Sequence, residues 1–229
     1  MKNKKVPEYR YWGLKPSIEY FKSKRKNISD LYEGEKKIFS KIMFEKCSIL
    51  DIGCAEGGFI KIIKSFIKNF DYTGVDVNPK MINLAKKKNP KYNFYEKNEF
   101  HTKFGNKKFD IVLILGLLHL NKEWRKILLK DSKYSKKYLI FDLRETNKKS
   151  VENIKKSFFR MNFDSKIKKY REIHIPYNIL NKKKVESFLD NKLKTFKRKI
   201  VIKYKGKPSE NAKTSHKVVT FSNYCFVKK

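Results

Sequence analysis

The sequence predicts an α/β fold, a doubly wound and mostly parallel sheet of seven strands that ends in an antiparallel hairpin. Three observations predict it. Apolar runs that suit strands alternate with helical patterns through the first 143 residues, which is typical of parallel strands joined by helices. A glycine-rich turn follows the first strand. Two long strand patterns come late in the chain, after a polar stretch.

The alternating part contains five predicted strands. The strongest is FDIVLIL (109–115), and the Asn78-Pro79 pair after the second strand starts a helix, because proline is favoured at the first helical position. The other strands are predicted at 47–52, 72–77, 92–96 and 137–143, and helices at 31–46, 58–69 and about 121–130.

The order of elements changes after residue 143. Residues 150–192 look mostly helical and polar, and strands are predicted at 197–204 and 218–227, with the loop GKPSENAKTSHK between them. Two late strands on a parallel core predict the antiparallel hairpin.

The charge of the chain has two explanations. The 229 residues carry a formal net charge of +34, and only seven of the 57 basic residues are Arg. Abundant Lys, Asn and Ile with three Ala is what A/T-rich codons produce, so codon composition can explain the lysines on solvated faces. The other explanation is an anionic partner such as nucleic acid, although phosphate-recognising surfaces favour Arg.

Cysteines and apolar segments predict the compartment. The three cysteines (47, 54 and 225) form no CxxC pair, so no zinc site is predicted and a reducing compartment is expected. The basic start of the chain has no apolar stretch after it. The longest apolar run, 111–118, is far shorter than the roughly 20 residues that span a bilayer. We therefore expect a soluble, cytoplasmic protein without a metal site.

The most informative segment is the turn after the first strand. Glycines there let the backbone approach a ligand closely. Two registers compete: Gly53-x-Ala55-x-x-Gly58 satisfies a loosened dinucleotide fingerprint, and Asp51-x-Gly53-x-Ala55-x-Gly57 is the other. A plain turn between a strand and a helix is the alternative without a ligand.

Charge favours the second register. Asp51 precedes the turn and Glu56 lies within it, and both would repel a pyrophosphate. The same carboxylates suit S-adenosylmethionine, which has no phosphate and carries a sulfonium and an ammonium group. Asp76 ends the second strand, where a carboxylate can accept hydrogen bonds from both ribose hydroxyls.

Four motifs in order resemble those of the class I S-adenosylmethionine-dependent methyltransferases. They are LDIGCAEGGF (50–59), GVDVNPKMINLAKK (74–87), FDIVLILGLLHL (109–120) and YLIFDL (138–143). The resemblance covers about residues 45–143 and implies a Rossmann-like methyltransferase fold with strand order 3-2-1-4-5-7-6. It divides the chain into an N-terminal segment, 1–30, that is a candidate cover for cofactor or substrate, and a domain, 31–229, with a substrate-side insertion at about 144–195.

The resemblance also implies roles for single residues. Asp51 and Gly53 are expected near the methionine part of S-adenosylmethionine, with Ala55 and Gly57 completing the turn and Asp76 holding the ribose. Ala55 replaces the usual middle glycine. The other implied cofactor contacts are Val77 beside the adenine, Asn98 or Glu99 at the adenine amino group, and Leu115 with Gly116 at the end of the fourth strand.

The acceptor side has several candidates. A base is needed only if the acceptor must lose a proton, and histidine suits that task. His119 follows the fourth strand and His174 lies in the insertion, so both are candidate catalytic residues. Packing beside the cofactor is the alternative for His119, and a position on a solvated helix is the alternative for His174. The candidate substrate residues are Arg144, Tyr170, Arg171 and Tyr177, with a surface salt bridge as the alternative for Arg144.

The sequence therefore predicts an S-adenosylmethionine-dependent methyltransferase that acts on an oxygen or nitrogen of a small molecule, with an anionic sugar or a phosphorylated metabolite as one option. An RNA methyltransferase is the alternative that the net charge favours. A non-catalytic protein of the same fold and, as a minor option, an NAD-dependent oxidoreductase are further alternatives.

Overall fold

The computed structural model describes residue 12 and residues 17–19, 25–160 and 174–229. The strands are β1 (Cys47–Ile52), β2 (Phe70–Asp76), β3 (Asn93–Glu96), β4 (Phe109–Ile114), β5 (Ser135–Thr146), β6 (Phe158–Arg160), β7 (His174–Pro176), β8 (Leu180–Asn181), β9 (Phe196–Gly206), β10 (Ala212–Lys213) and β11 (Val219–Lys228). The helices are α1 (Glu33–Ile42), α2 (Phe59–Ile63), α3 (Pro79–Lys88), α4 (Lys97–Phe104), α5 (Trp124–Ser132) and α6 (Lys182–Lys192), with 3-10 turns at Ile28–Asp30 and Leu118–Leu120.

The main sheet has the order β3-β2-β1-β4-β5-β11-β9. The first five strands in this order run parallel to one another, and β11 is antiparallel to both of its neighbours. The predicted seven-stranded, mostly parallel sheet with a terminal antiparallel hairpin is therefore confirmed. The short strand β8 also pairs with the end of β5. Among the described residues, β9 forms one open edge of the sheet and the four-residue β3 forms the other.

Both faces of the central strands β1, β4 and β5 are buried, which explains why these strands read as nearly continuous apolar runs. Successive side chains of a strand point to opposite faces. In β4, Ile111 and Leu113 pack into one apolar cluster, and Val112 and Ile114 pack into the other. Strand β1 follows the same alternation.

The helices are shorter than the periodicity predicts, and α4 follows β3 where no helix was predicted. The start of α3 is as predicted: the Asn78 side chain accepts hydrogen bonds from the backbone N–H groups of Lys80 and Met81, and Pro79 is the first helical residue. None of the described helices has the length and apolar character that crossing a membrane requires.

The prediction that residues 150–192 are mostly helical is wrong for its first part. The described residues there form the short strands β6, β7 and β8, and only α6 is helical. Strands β10, β6 and β7 pair in that order as a second, antiparallel sheet. The reason is packing: Phe159, Ile175, Tyr177 and Phe221 bury one another in a third apolar cluster, and this tertiary contact outweighs the polar local composition.

Candidate active site

A cavity of about 800 Å³ lies at the carboxyl ends of β1, β2, β4 and β5, where parallel α/β sheets bind ligands. Residues of the glycine turn and of the ends of β2 and β4 line one part, which we call the glycine-turn half. The second sheet and β11 contribute to the other part, which we call the small-sheet half. The glycine-turn half includes Gly53, Ala55, Asp76, Val77, Met81, Leu115 and Gly116, and the small-sheet half includes Tyr32, His119, Arg144, Phe159, Ile175, Tyr177 and Phe221.

The glycine turn needs left-handed backbone at three positions. Gly53 has a φ of +81° and Gly57 also has a φ of +81°, a region that glycine enters without strain. Ala55 lies between them with a φ of +47°. Its N–H donates to Oδ2 of Asp76 at 3.1 Å, and the N–H of Gly53 donates to the Val75 carbonyl at 2.7 Å. These bonds fasten the turn to the end of β2.

Asp76 ends β2 on the cavity wall. Its Oδ2 accepts from Ala55, and its Oδ1 accepts from the N–H of Asn78 at 2.9 Å. Burial raises the pKa of this carboxyl group, and the backbone N–H groups oppose the shift. A carboxylate oxygen can accept more than one hydrogen bond, so both oxygens keep capacity for the two hydroxyls of a ribose.

Asp51 lies beneath the turn and not on the cavity wall. Its side chain is buried, and its Oδ2 accepts a hydrogen bond from the Tyr72 hydroxyl at 2.5 Å. Burial and the neighbouring Asp76 raise its pKa to about 7, against the hydrogen bond from Tyr72. At neutral pH Asp51 therefore carries only part of the negative charge that the sequence argument gave it.

The rest of the glycine-turn half is apolar. Val77 is 42% exposed and offers an apolar face to the cavity. Gly116 has a φ of +72°, and no atom lies within 4 Å of the position that a Cβ would take there. Asn98 and Glu99 are exposed on α4 and do not line the cavity, whereas Lys97 of the same helix does. Gly57 is also absent from the wall, and all three assignments stay predictions.

Asp142, near the end of β5, connects the two halves of the cavity. Its Oδ1 accepts from the N–H of Gly116 at 2.6 Å, and its Oδ2 accepts from Nη1 of Arg144 at 2.5 Å. The Asp142 side chain is fully buried. Burial opposes its ionisation, but Arg144, His119 and the Gly116 N–H together hold the pKa of Asp142 below its ordinary value.

Arg144 packs against two aromatic rings that also contact each other. Its guanidinium carbon lies 4.2 Å from the ring centre of Phe221 and 5.4 Å from that of Tyr32, and the residue is 2% exposed. Tyr177 is buried on the same wall and accepts a hydrogen bond from the Ser209 N–H at 3.4 Å. Arg144 and Tyr177, predicted from the sequence as substrate residues, are thus brought together.

The other predicted acceptor residues are placed differently. His174 lies in β7, stacks on Phe158 with ring centres 4.0 Å apart, and does not line the cavity. Tyr170 and Arg171 lie outside the described residues. Their roles stay predictions.

His119 lines the cavity beside this group. Its Nδ1 is buried without a hydrogen-bond partner among the described residues and lies 3.8 Å from Oδ2 of Asp142. Its ring packs edge-on against Tyr177, with centres 5.6 Å apart. Burial, followed by the positive charge of Arg144, lowers the pKa of His119 to about 3. The imidazole is therefore neutral at physiological pH, where it can accept a hydrogen bond but is a weak base.

We expect His119 to make folding pH-dependent. Its pKa is about 3 in the folded protein and 6.5 in the unfolded chain, so only the unfolded state gains the proton as the pH falls between these values. The free energy of unfolding should then decrease by up to about 1.4 kcal/mol per pH unit. Urea unfolding of the wild type and of His119→Phe is measured between pH 4 and 7. The difference between their free energies of unfolding isolates the contribution of His119, because Asp51, whose contribution has the opposite sign, is present in both proteins. Parallel curves for the two proteins would contradict the expectation.

Sequence reasoning missed Arg25 and Tyr32 of the cavity wall, and also the buried Asp142, which bonds to the wall residues Gly116 and Arg144. Asp142 stands at the end of an apolar strand, as Asp51 and Asp76 do, and that pattern was visible in YLIFDL. Arg25 is one of only seven arginines in the chain, and this scarcity could have marked it as a candidate site residue. Nothing in the sequence indicated that the ring of Tyr32 would lie close to two guanidinium groups, those of Arg25 and Arg144.

Comparisons with known proteins agree with this geometry. The model of a methyltransferase domain family matches residues 49–134, which contain the glycine turn, Asp76 and His119. The comparison with curated proteins gives no match.

Solved structures share the fold at low identity. Magnesium protoporphyrin IX methyltransferase from Synechocystis, with S-adenosylhomocysteine bound, is 14% identical, with 86% of this chain and 84% of that chain covered and a TM-score of 0.54. An N-methyltransferase from Bradyrhizobium japonicum, also in complex with S-adenosylhomocysteine, is 14% identical, with 97% and 99% covered and a TM-score of 0.52. A Rhodobacter sphaeroides protein described as a zinc-dependent alcohol dehydrogenase is 10% identical, with 97% and 98% covered and a TM-score of 0.62. At such identities these likenesses show the fold alone.

The residues of the glycine-turn half suit the cofactor that the family model implies. The open position at Gly116 admits a ligand close to the backbone, the Asp76 oxygens suit a ribose, and Val77 suits an adenine. Residues 49–134 of the chain therefore match a methyltransferase domain family, within a fold that the chain shares with methyltransferases solved with S-adenosylhomocysteine bound.

Proposed function

We propose that this methyltransferase acts on a small molecule, at an oxygen or nitrogen atom, with S-adenosylmethionine in the glycine-turn half and the acceptor in the small-sheet half. The size of the cavity supports this most directly. Its volume of about 800 Å³ is within the range of small-molecule pockets, roughly 300–1,000 Å³. The second sheet covers one side of it through Phe159 and Ile175.

The distribution of charge supports the same proposal over RNA methylation. Among the described residues only two lysines, Lys97 and Lys207, line the cavity, although the chain has fifty. Proteins that bind single strands use a basic groove with stacking aromatic rings along the backbone of the nucleic acid. The lysines do not concentrate at the cavity, which supports codon composition as the explanation for the net charge.

The walls of the small-sheet half suit an acceptor with an apolar, planar face. Phe159, Tyr177 and Phe221 are buried aromatic residues of that wall. The charge of Arg144 is already balanced by Asp142. An anionic sugar or a phosphorylated metabolite therefore remains a narrower prediction, in which one anionic group of the acceptor contacts Arg144.

In this proposal the residues hold and align the reactants. The cofactor supplies a methyl group on a positively charged sulfur. Asp76 and the turn hold the nucleoside, and the aromatic walls exclude water from the acceptor. His119, neutral and on the cavity wall, accepts a hydrogen bond from an O–H or N–H of the acceptor and orients its lone pair.

Transfer of a labelled methyl group tests the proposal. The protein is incubated with S-adenosylmethionine labelled in its methyl group and with a cell extract, which is then separated into RNA, protein and low-molecular-weight fractions. We expect label in the low-molecular-weight fraction. Label confined to RNA would establish the alternative substrate. No transfer to any fraction by a protein that binds S-adenosylhomocysteine would support the non-catalytic alternative.

A further inference from the structure

Arg25 lines the cavity beside the glycine turn. Its carbonyl oxygen is 2.8 Å from the position that a Cβ on Gly58 would take, so this glycine permits the close approach. Its guanidinium carbon lies 5.0 Å from the ring centre of Phe59, the first residue of α2. Arg25 therefore packs on the part of the turn that leads into α2.

Glu35 holds this guanidinium in place. Nη2 of Arg25 donates to Oε1 of Glu35 at 2.7 Å, and Nη1 donates to Oε2. The Glu35 side chain is fully buried, whereas that of Arg25 is 20% exposed. Nη1 also donates to the Asp30 carbonyl at 3.2 Å. An arginine has five N–H donors, so two remain for a ligand once its contacts with the described residues are counted.

The charge of Arg25 acts where the two halves of the cavity meet. Its guanidinium carbon lies 5.0 Å from the ring centre of Tyr32, a residue of the small-sheet half, and at the same distance from that of Phe59 at the end of the turn. The other cations of the described wall are placed differently: Lys97 pairs with Asp131 on the α4 side, Arg144 is enclosed with Asp142, and Lys207 follows β9.

The cofactor brings an anion to this junction. Its sulfur must face the acceptor, so the methionine chain that leaves the sulfur ends near the meeting point of the two halves. That chain ends in an ammonium and a carboxylate group, and a carboxylate leaving water needs a compensating cation.

We propose that Arg25 binds the carboxylate of the methionine part of S-adenosylmethionine, with Glu35 as the positioning residue that orients the guanidinium. The inference rests on the cofactor orientation given under the proposed function.

Two ligands that differ only in the amino acid part test this assignment. S-adenosylhomocysteine has the carboxylate, and 5′-methylthioadenosine has the same adenosine and thioether without it. Their affinities are measured by calorimetry for the wild type, Arg25→Lys and the double variant Arg25→Met/Glu35→Gln, which leaves no unpaired buried carboxylate. The double variant should bind S-adenosylhomocysteine about 10- to 100-fold more weakly, which is the loss of one charged hydrogen-bonded contact. Its affinity for 5′-methylthioadenosine should change by less than about twofold, and Arg25→Lys should recover part of the loss.

The matched control is Arg125→Met/Glu152→Gln, which removes another arginine–carboxylate pair that lies outside the cavity. It should bind both ligands as the wild type does. If the Arg25→Met/Glu35→Gln variant bound both ligands more weakly by the same factor, the role of Arg25 would be structural. Unchanged affinities for both ligands would overturn the assignment. A wild type that binds neither ligand contradicts the cofactor site as a whole, which is a different result.

Discussion

Asp76→Ala is expected to weaken the binding of S-adenosylhomocysteine by at least about 100-fold. The change removes a carboxylate that we expect to accept hydrogen bonds from both ribose hydroxyls, and each bond to a charged group contributes about 1.5–3 kcal/mol. It also removes the acceptor that fastens the Ala55 N–H to β2. Calorimetric titration of the variant and the wild type measures the loss.

The control for this variant is Asp71→Ala, which removes an exposed carboxylate from the same strand. Asp76→Asn keeps oxygen and nitrogen atoms at the site but removes the charge, so its affinity should be intermediate. Melting temperatures of all three variants show whether the strand is intact. Wild-type affinity in a folded Asp76→Ala protein would refute the ribose assignment.

Arg144→Met is expected to lower the free energy of unfolding by about 3–5 kcal/mol, because it leaves the fully buried Asp142 carboxylate without its partner. Urea unfolding at pH 7 measures the change. In Arg144→Met/Asp142→Asn no charge is left unpaired, so this double variant should recover much of the loss.

The pH dependence gives a second measure of the same pair. Asp142 has a lowered pKa in the folded wild type, so its stabilising contribution is present above the unfolded value of 3.8 and is lost as the pH falls through the folded value. The deficit of Arg144→Met should therefore be largest near neutral pH and shrink in acid. The exposed pair of Arg125 and Glu152 is the control, and Arg125→Met should cost at most about 1 kcal/mol. Equal decreases in the free energy of unfolding for Arg125→Met and Arg144→Met would contradict the stabilising role of the buried pair of Arg144 and Asp142.

The parts of the fold that could be predicted are those whose cause is local or periodic. Strand β4 is buried on both faces, so its run of apolar residues is continuous and visible in the sequence. The start of α3 follows from the capping side chain of Asn78 and the ring of Pro79, two neighbours in the chain. The second sheet could not be predicted in this way, because the apolar residues of β6 and β7 acquire a strand pattern only through pairing with each other and burial against β11.

The candidate site likewise has a part that the sequence predicts and a part that depends on contacts between distant residues. The glycine turn and Asp76 stand in one continuous pattern and meet where parallel strands end. The contacts of Asp51 depend on Tyr72 in the neighbouring strand, and those of Asp142 depend on Arg144 and on Gly116 from another loop. No spacing along the chain reveals such partners, so the sequence could not show that Asp51 bonds to Tyr72, and it left Asp142 without a role. The expected place of Asp51 near the cofactor stays a prediction.

The lysines of β9 lie on an edge strand, where their charge affects contact with a second molecule. This strand has eleven residues, and no other described strand pairs with its outer row of backbone groups, which could otherwise template pairing with the same strand of a second molecule. Lys197, Lys199 and Lys205 are exposed along it. Two such strands brought side by side would set like charges against each other at close range. Part of the excess positive charge therefore opposes self-association through the edge strand β9.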